Sequence, residues 1–314
     1  MDVVTLGETM VLFIPTAIEP LRHSALFERK IGGAESDVAI GLSRLGHHCG
    51  WISRLGNDEF GLYIRNYIRG EGVDISRVIF DNEHATAVFF KERQAMQEPK
   101  IYYYRQGSAA SYMTPQDLDE AYIATAKFLH ITGITPALSS SCRETVLQAI
   151  AIARRNGVKV VFDPNIRLKL WTAETAKEVL FPLASQCDIV MPGLDEGQIL
   201  TGKTEPQAIA QRLLENGAQA VVVKLGAQGA YFATPTEDGF VAAAKVTHIV
   251  DPLGAGDAFV AGFLSGLLRG WTYRAAVGLG NRVAAFALTV VGDVEGLPSW
   301  SQVNPQEKAA DILR

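Results

Sequence analysis

Beginning near Ala121, apolar runs of strand length at Lys127–Ile131, Val158–Asp163, Asp188–Met191 and Ala220–Leu225 alternate with segments of helical periodicity. This rhythm restricts the fold more than any other feature of the chain. Strands separated by helices cannot close as hairpins; they cross over, right-handed, into a parallel sheet covered on both faces. In Ser141–Asn156, Val146, Leu147, Ile150 and Ala153 fall on one stripe, a capping box runs from Ser141 to Glu144, and Asn156-Gly157 ends the helix. Earlier, Ala34–Leu45 and Asp58–Arg69 predict helices around a strand at His48–Arg54. The expected class is α/β, a doubly wound, mostly parallel sheet flanked by helices.

Two early stretches break the rhythm. Met10–Pro15, and later Thr86–Lys91 with Ile101–Arg105, alternate at period two and lack crossover helices, which predicts a small antiparallel β lid outside the main sheet. We expect one domain over 1–314, with lid strands inserted at about 10–31 and 85–106. An exposed lid sheet invites a second copy, so a homo-oligomer through the lid is expected. Lys and Arg number 29 against 34 Asp and Glu, a net charge of −5, which speaks against a nucleic-acid partner. No run approaches the length of a membrane span, and MDVVTLGETM lacks the basic start of a signal peptide, so no membrane partner is expected. Cys49, Cys142 and Cys187 lie far apart and read as free thiols of a cytoplasmic protein.

The sharpest motif is Asp251-Pro252-Leu253-Gly254-Ala255-Gly256-Asp257, leading into the apolar helix Ala258–Leu268. Small residues let backbone approach a ligand closely, and a helix start presents unpaired N–H groups and partial positive charge. Gly254, Ala255 and Gly256 therefore form an anion cradle. A carboxylate beside a phosphate site is unfavourable unless it has a task, and Asp257 has one available: accepting the proton of an alcohol that attacks a γ-phosphoryl group. Asn165 and Lys224 stand at strand ends, where open α/β sheets bind ligands, and are candidates for phosphate contacts.

This motif, the early Gly32-Gly33-Ala34…Val38-Ala39 followed by Leu45-Gly46, and the order Lys224-Leu225-Gly226-Ala227-Gln228-Gly229 before it resemble the ribokinase-like (phosphofructokinase-B) carbohydrate kinases from Val4 to about Gly296. Tyr102–Ala110 and Asp163–Trp171 are similar to the 2-keto-3-deoxygluconate kinases among them. The resemblance implies ATP, Mg²⁺ and a monovalent cation near Asp251, with phosphorylation of a sugar acid at its 6-hydroxyl. It places Gly33, Tyr103, Arg105, Arg167 and Asp257 at the substrate. Asn165, Lys224, Gly226, Gly229, Gly254, Gly256 and Asn281 would lie at the nucleotide, and Glu196 would organise the metal through water. Arg suits such a substrate because its planar fork takes a carboxylate in two parallel hydrogen bonds. Two alternatives remain open on the sequence: a neutral ketose kinase such as a fructokinase, and a non-catalytic nucleotide or sugar sensor.

Several positions depart from the wider family. Pro252 replaces a threonine, Gly193-Leu194-Asp195-Glu196 lacks the usual asparagine, Asp37 stands where an asparagine is common, and Met10–Ile14 carries no aspartate. Gly197–Thr204 satisfies the Walker A pattern by letter, but Ile199 and Leu200 continue an apolar helical face. Gly202 then reads as a helix C-cap, and Thr204 with Gln207 as the next capping box, with Pro206 in its first turn. Gly278-Leu279-Gly280 lacks a preceding strand and reads as helix packing as well as an adenine contact. The six histidines lack ligand spacing and read as structural, hydrogen-bonded residues.

Overall fold

The computed structural model describes residues 1–93 and 99–304, so positions 94–98 of the expected lid insertion and 305–314 of the expected domain lie outside the described residues. The strands are β1 (Val3–Leu6), β2 (Met10–Pro15), β3 (Phe27–Gly32), β4 (Cys49–Gly56), β5 (Asp74–Asp81), β6 (Val88–Glu92) and β7 (Lys100–Tyr104). They continue as β8 (Phe128–Thr132), β9 (Lys159–Asp163), β10 (Ile189–Val190), β11 (Ala220–Lys224), β12 (Gly229–Ala233) and β13 (Asp238–Ala242). A nine-stranded sheet runs β13-β12-β11-β10-β9-β8-β1-β4-β5, and a four-stranded sheet runs β3-β2-β6-β7.

From β5 to β11 every neighbour in the large sheet is parallel; β12 and β13 add an antiparallel edge. Alternating side chains go to opposite faces. Ala220 and Val222 of β11 enter one core with Trp51, Phe232 and Phe263, while Val221 and Val223 enter the other with Phe162 and Ile131. Both faces are buried, so these strands read as continuous apolar runs. Fully burying side chains such as Phe162 or Leu6 stabilises by roughly 1.5–3 kcal/mol each.

The lid is mixed where the sequence predicted it antiparallel: β2–β3 and β6–β7 are antiparallel, but β2–β6 is parallel. The chain travels through β4 and β5 between β2 and β6, which gives the long excursion that a parallel pairing needs. Two helix details also differ. Ser139, not Ser141, caps Ser140–Arg155, accepting the Cys142 N–H at 3.1 Å. Leu147 is 38% exposed; the buried stripe is Val146, Ala149, Ile150 and Ala153, because one residue turns about 100° round the helix.

Strand order reverses between β1 and β8: successive strands leave β1 for β4 and β5 on one side, and β8 through β13 on the other. Ligands of open α/β sheets bind at the carboxyl ends of strands near such a switch. Glu8 after β1, Thr132 ending β8, Asp163 ending β9 and Lys224 ending β11 all stand there.

Candidate active site

One cavity between lid and sheet brings together Glu8, Gly33, Tyr103, Arg105, Arg167 and Asp257, with Gly254 and Asp293 also on its wall. Its roof is the inner face of the lid, where Met10, Leu12, Ile14, Ala87 and Phe89 form a small apolar cluster of their own. The Tyr103 ring lies 5.6 Å from Phe89, with the Arg105 guanidinium 5.4 Å and Lys169 Nζ 5.5 Å from its centroid. Lys169 Nζ also donates to Ile101 O at 2.5 Å, tying the loop after β9 to the lid.

The cradle helix spans Ala255–Leu268, three residues earlier than the apolar run alone predicted, with Gly254 as its N-cap at φ +74°. A Cβ on Gly254 would meet Asp293 O at 2.6 Å, so both the left-handed backbone and the close approach require glycine. Gly256 faces Lys224: its Cβ position lies 3.8 Å from Lys224 Nζ. Asp257, in the first turn, is buried. Burial and then the neighbouring Asp163 push its carboxyl up to about 6, against the opposing pull of Arg167 and Lys224. A base at that level is ionised at neutral pH and still takes a proton readily. Turnover is therefore expected to fall about tenfold per pH unit below about 6 and to level off above it. A pH–rate profile checks this; an unchanged rate down to about pH 4.5 would remove Asp257 from the proton-transfer step.

Asn165 is the one described non-glycine residue with positive φ, at 40°. Such strain is characteristic of functional sites. Its Nδ2 donates to Asp257 Oδ1 at 3.3 Å, while its own Oδ1 is buried without a partner. Lys224 Nζ donates to Asp163 Oδ2 at 2.5 Å. Burial alone would lower the lysine, but Asp163 and Glu196 outweigh it and raise the lysine above its ordinary value. Glu196 accepts from Gly193 N–H at 2.7 Å and Ile166 N–H at 2.9 Å, so both oxygens already brace the loop after β9 against the helix Leu194–Thr201.

The two arginines differ. Arg105 is buried against Glu8: its Nε donates to Glu8 Oε2 at 2.8 Å, and Ser108 Oγ donates to Glu8 Oε1 at 2.5 Å. Arg167 forms no hydrogen bond or salt bridge through its guanidinium with any described residue, yet its charge reaches Asp257. Glu8 was not singled out by the motifs, although its place directly after the first strand, at the switch point, marks it. Asp37 lines the same cavity. Burial first, then Asp293 and Asp257, push it well above the usual carboxylate range, favouring an O–H donor where the family's asparagine offers N–H.

The remaining expected nucleotide residues lie along the β11–β12 edge. Gly226 (φ +56°) borders open space at the turn, and Gly229 packs on β13, where a Cβ would meet Val241 O at 2.1 Å. Asn281 Nδ2 is committed to Val241 O and Ala242 O, at 3.1 and 3.0 Å, leaving only its amide oxygen for a ligand. Gly280 packs helix on helix, since its Cβ would meet Phe259 O at 2.9 Å. His130 overturns one expectation: it is fully buried within β8 with neither ring nitrogen hydrogen-bonded, and burial pushes it down to about 4, so it sits there neutral.

Residues 1–300 match the pattern of the pfkB family carbohydrate kinases. The chain belongs to that family. This pfkB kinase is 40% identical over 315 residues to a 2-dehydro-3-deoxygluconokinase of Bacillus subtilis, covering 100% of this chain and 95% of the relative. It is 32% identical over 289 residues to a 5-dehydro-2-deoxygluconokinase of Halalkalibacterium halodurans, covering 90% and 87%. Its fold is similar to the crystal structure of a 2-dehydro-3-deoxygluconokinase from Thermotoga maritima, with TM-score 0.89, 26% identity and coverage of 99% and 98%. It is also similar to a fructokinase double mutant from Vibrio cholerae in its fructose-, ADP- and potassium-bound form, with TM-score 0.85, 28% identity and coverage of 96% and 97%.

The Walker-like stretch of this pfkB kinase is a helix end. Gly202 closes Leu194–Thr201 at φ +75°, and Lys203 is exposed beyond it. The next helix is capped at Glu205 without a side-chain bond, so the expected Thr204–Gln207 box does not form; Pro206 takes the first helical position. Lys203→Ala is expected to keep turnover within about twofold of the parent in a steady-state assay, as an exposed substitution remote from the cavity should. Among the described residues no group of three or more His, Cys, Asp or Glu forms a ready metal cage. This donor set fits Mg²⁺, which keeps several waters and binds through substrate phosphates, with Glu196 and Asp163 able to hold those waters. A free cation on Asp251 fits less well, because Lys91 Nζ already rests on that carboxylate. No described helix is long and apolar enough to cross a membrane.

Proposed function

We propose that this pfkB kinase transfers the γ-phosphoryl group of ATP to the 6-hydroxyl of 2-keto-3-deoxygluconate. The observation that carries the reading is the pairing, within one cavity, of a first-turn aspartate at an anion cradle with a guanidinium that no described protein group engages. The acceptor oxygen attacks the γ-phosphorus, its proton passes to Asp257, the bond from that phosphorus to the bridging oxygen breaks, and ADP leaves. The N–H groups at Gly254, Ala255 and Gly256 are aimed at charge developing on the transferred group. Lys224, Asn165 and the Gly226–Gly229 turn line the route of the nucleotide phosphates, with Asn281 further along it. When bound, Mg²⁺ would neutralise charge on the β- and γ-phosphates. Arg105 is held rigid by Glu8 and Arg167 is unengaged, so the two can close on the sugar-acid carboxylate from opposite degrees of freedom, with Tyr103 against the carbon chain. The lid roof excludes water, which would otherwise accept the phosphoryl group.

The test is coupled ADP release over 2-keto-3-deoxygluconate, its galactonate epimer, 5-dehydro-2-deoxygluconate and fructose. The first is expected to give the highest kcat/KM. Fructose as the best acceptor would replace this reading with the ketose kinase, and ATP binding without ADP release on any acceptor would replace it with a sensor. A preference for 5-dehydro-2-deoxygluconate would keep the sugar-acid class and change the substrate, as the 32% relative suggests.

A further inference from the structure

Among the described residues, the phosphoryl-transfer reading leaves one buried cation unused. Lys91 lies on lid strand β6 and alternates inward, in step with Phe89 on the cavity roof. Its side chain and that of Asp251 are each only 3% exposed, and its ammonium donates to Asp251 Oδ2. The same oxygen accepts Gly292 N–H at 3.0 Å, and Oδ1 accepts Leu253 N–H at 3.1 Å. The ammonium thus joins three segments: the lid, the turn that opens the anion cradle, and the Val291–Asp293 turn. The two turns touch directly, since a Cβ on Gly254 would strike Asp293 O. The surroundings are otherwise acidic, for Asp293 and Asp257 stand close enough to raise Asp37, and Asp251 and Asp257 close enough to raise Asp293. A single positive charge at this junction offsets several negative ones at the mouth of a site that must receive a polyphosphate.

A relative of this fold was solved with potassium bound. Potassium and a lysine ammonium carry the same charge. We propose that Lys91 is a tethered monovalent cation: its ammonium supplies, from within the chain, the charge a free potassium ion would otherwise bring to Asp251. The protein then neither needs nor responds to potassium. Because the charge rides on the lid, the geometry of the cradle depends on the lid being seated, a coupling that a diffusible ion cannot provide.

The inference rests on the kinase reading for its activity readout only; thermal stability reads it independently. The parent protein is compared in potassium chloride and choline chloride at equal ionic strength. Its melting temperature and turnover are expected to be equal in the two salts. A rise of about 3 °C or more in potassium, the size that specific ion binding would give, overturns the proposal. Lys91→Ala opens the space and leaves the Asp251 carboxylate with two backbone N–H groups but no counter-charge, so turnover is expected to fall about tenfold or more in choline. Potassium or ammonium should then restore both turnover and melting temperature, and lithium should not. If Lys91→Ala does not fold in choline, folding in potassium supports the proposal. If it folds in neither salt, Lys91→Gln, which retains most of the stem, carries the same comparison, and absence of potassium rescue in both variants overturns it. Should no acceptor be phosphorylated, the kinase reading fails while the thermal comparison still decides the role of Lys91.

Discussion

Asp257→Asn is expected to lower kcat by roughly 10²–10⁴, the usual contribution of a positioned general base. The substitution isolates proton acceptance from everything else at the helix start. The amide oxygen can still accept the Asn165 Nδ2–H that now reaches Asp257 Oδ1 at 3.3 Å, so the local geometry is retained. Neither the Gly254–Gly256 backbone nor Lys224 changes, and ATP affinity should stay within about threefold by calorimetry, since the proposed reading assigns the phosphates to those groups rather than to the carboxylate. Removing a buried carboxyl that burial holds up near 6 should also leave the fold intact, because the neutral amide avoids the cost of burying charge. Turnover near the parent value in a folded variant would take Asp257 out of the mechanism. A matching loss of ATP affinity would move its role to nucleotide binding.

Arg167→Met carries the second large effect. A charge-assisted hydrogen bond is worth about 1.5–3 kcal/mol, so losing a carboxylate clamp should cut kcat/KM for the sugar acid by roughly 10–200-fold. Activity on a neutral ketose, however weak, should change little. Equal losses on both acceptors would instead assign the guanidinium to the transferred phosphoryl group, which its influence on Asp257 would also permit. Arg105 is the poorer probe, although the lid motif points to it first. Its partner Glu8 has a side chain only 1% exposed, and truncating Arg105 would strand that carboxylate in the interior at a cost of about 3–5 kcal/mol. Loss of activity there would report folding and recognition together, whereas half-buried Arg167 has no such partner among the described residues.

The large sheet was legible because its strands are buried on both faces and its crossovers are helical. The short strand β10 and the cradle helix were both anticipated from local pattern. β5 was not, because its residues are mostly half-buried at the sheet edge and its apolar stretch, Val78–Phe80, is shorter than a core strand and does not alternate. The lid's direction was illegible for a different reason: whether β2 and β6 run parallel is decided by the path through β4 and β5, not by either strand's residues. Among the residues that line the cavity, the glycine cradle and Asp257 stand out by motif chemistry and Arg167 by the family resemblance. Glu8 and Lys91 do not, since a single charge on a short link or a lid strand reads as solvated until the opposing element is known. Lys91 points inward by its place on β6, Glu8 lies in the link between β1 and β2, and each meets its counter-charge on a segment distant in sequence.

The connection between β1 and β2 is only Gly7, Glu8 and Thr9. Within it Glu8 anchors Arg105, Thr9 Oγ1 donates to Ser36 Oγ at 2.7 Å, and Gly7 presses on the Glu35 carboxyl, where a Cβ would lie 2.1 Å away. A link this short, and this heavily engaged, allows the roof to tilt but not to swing away. It also means that specificity is not a detachable cassette. Chimeras that splice another sugar kinase's roof onto this body at the strand boundaries would inherit one half of each ionic lock and lose the other, and productive crossovers should carry Glu8 and Asp251 along with Arg105 and Lys91.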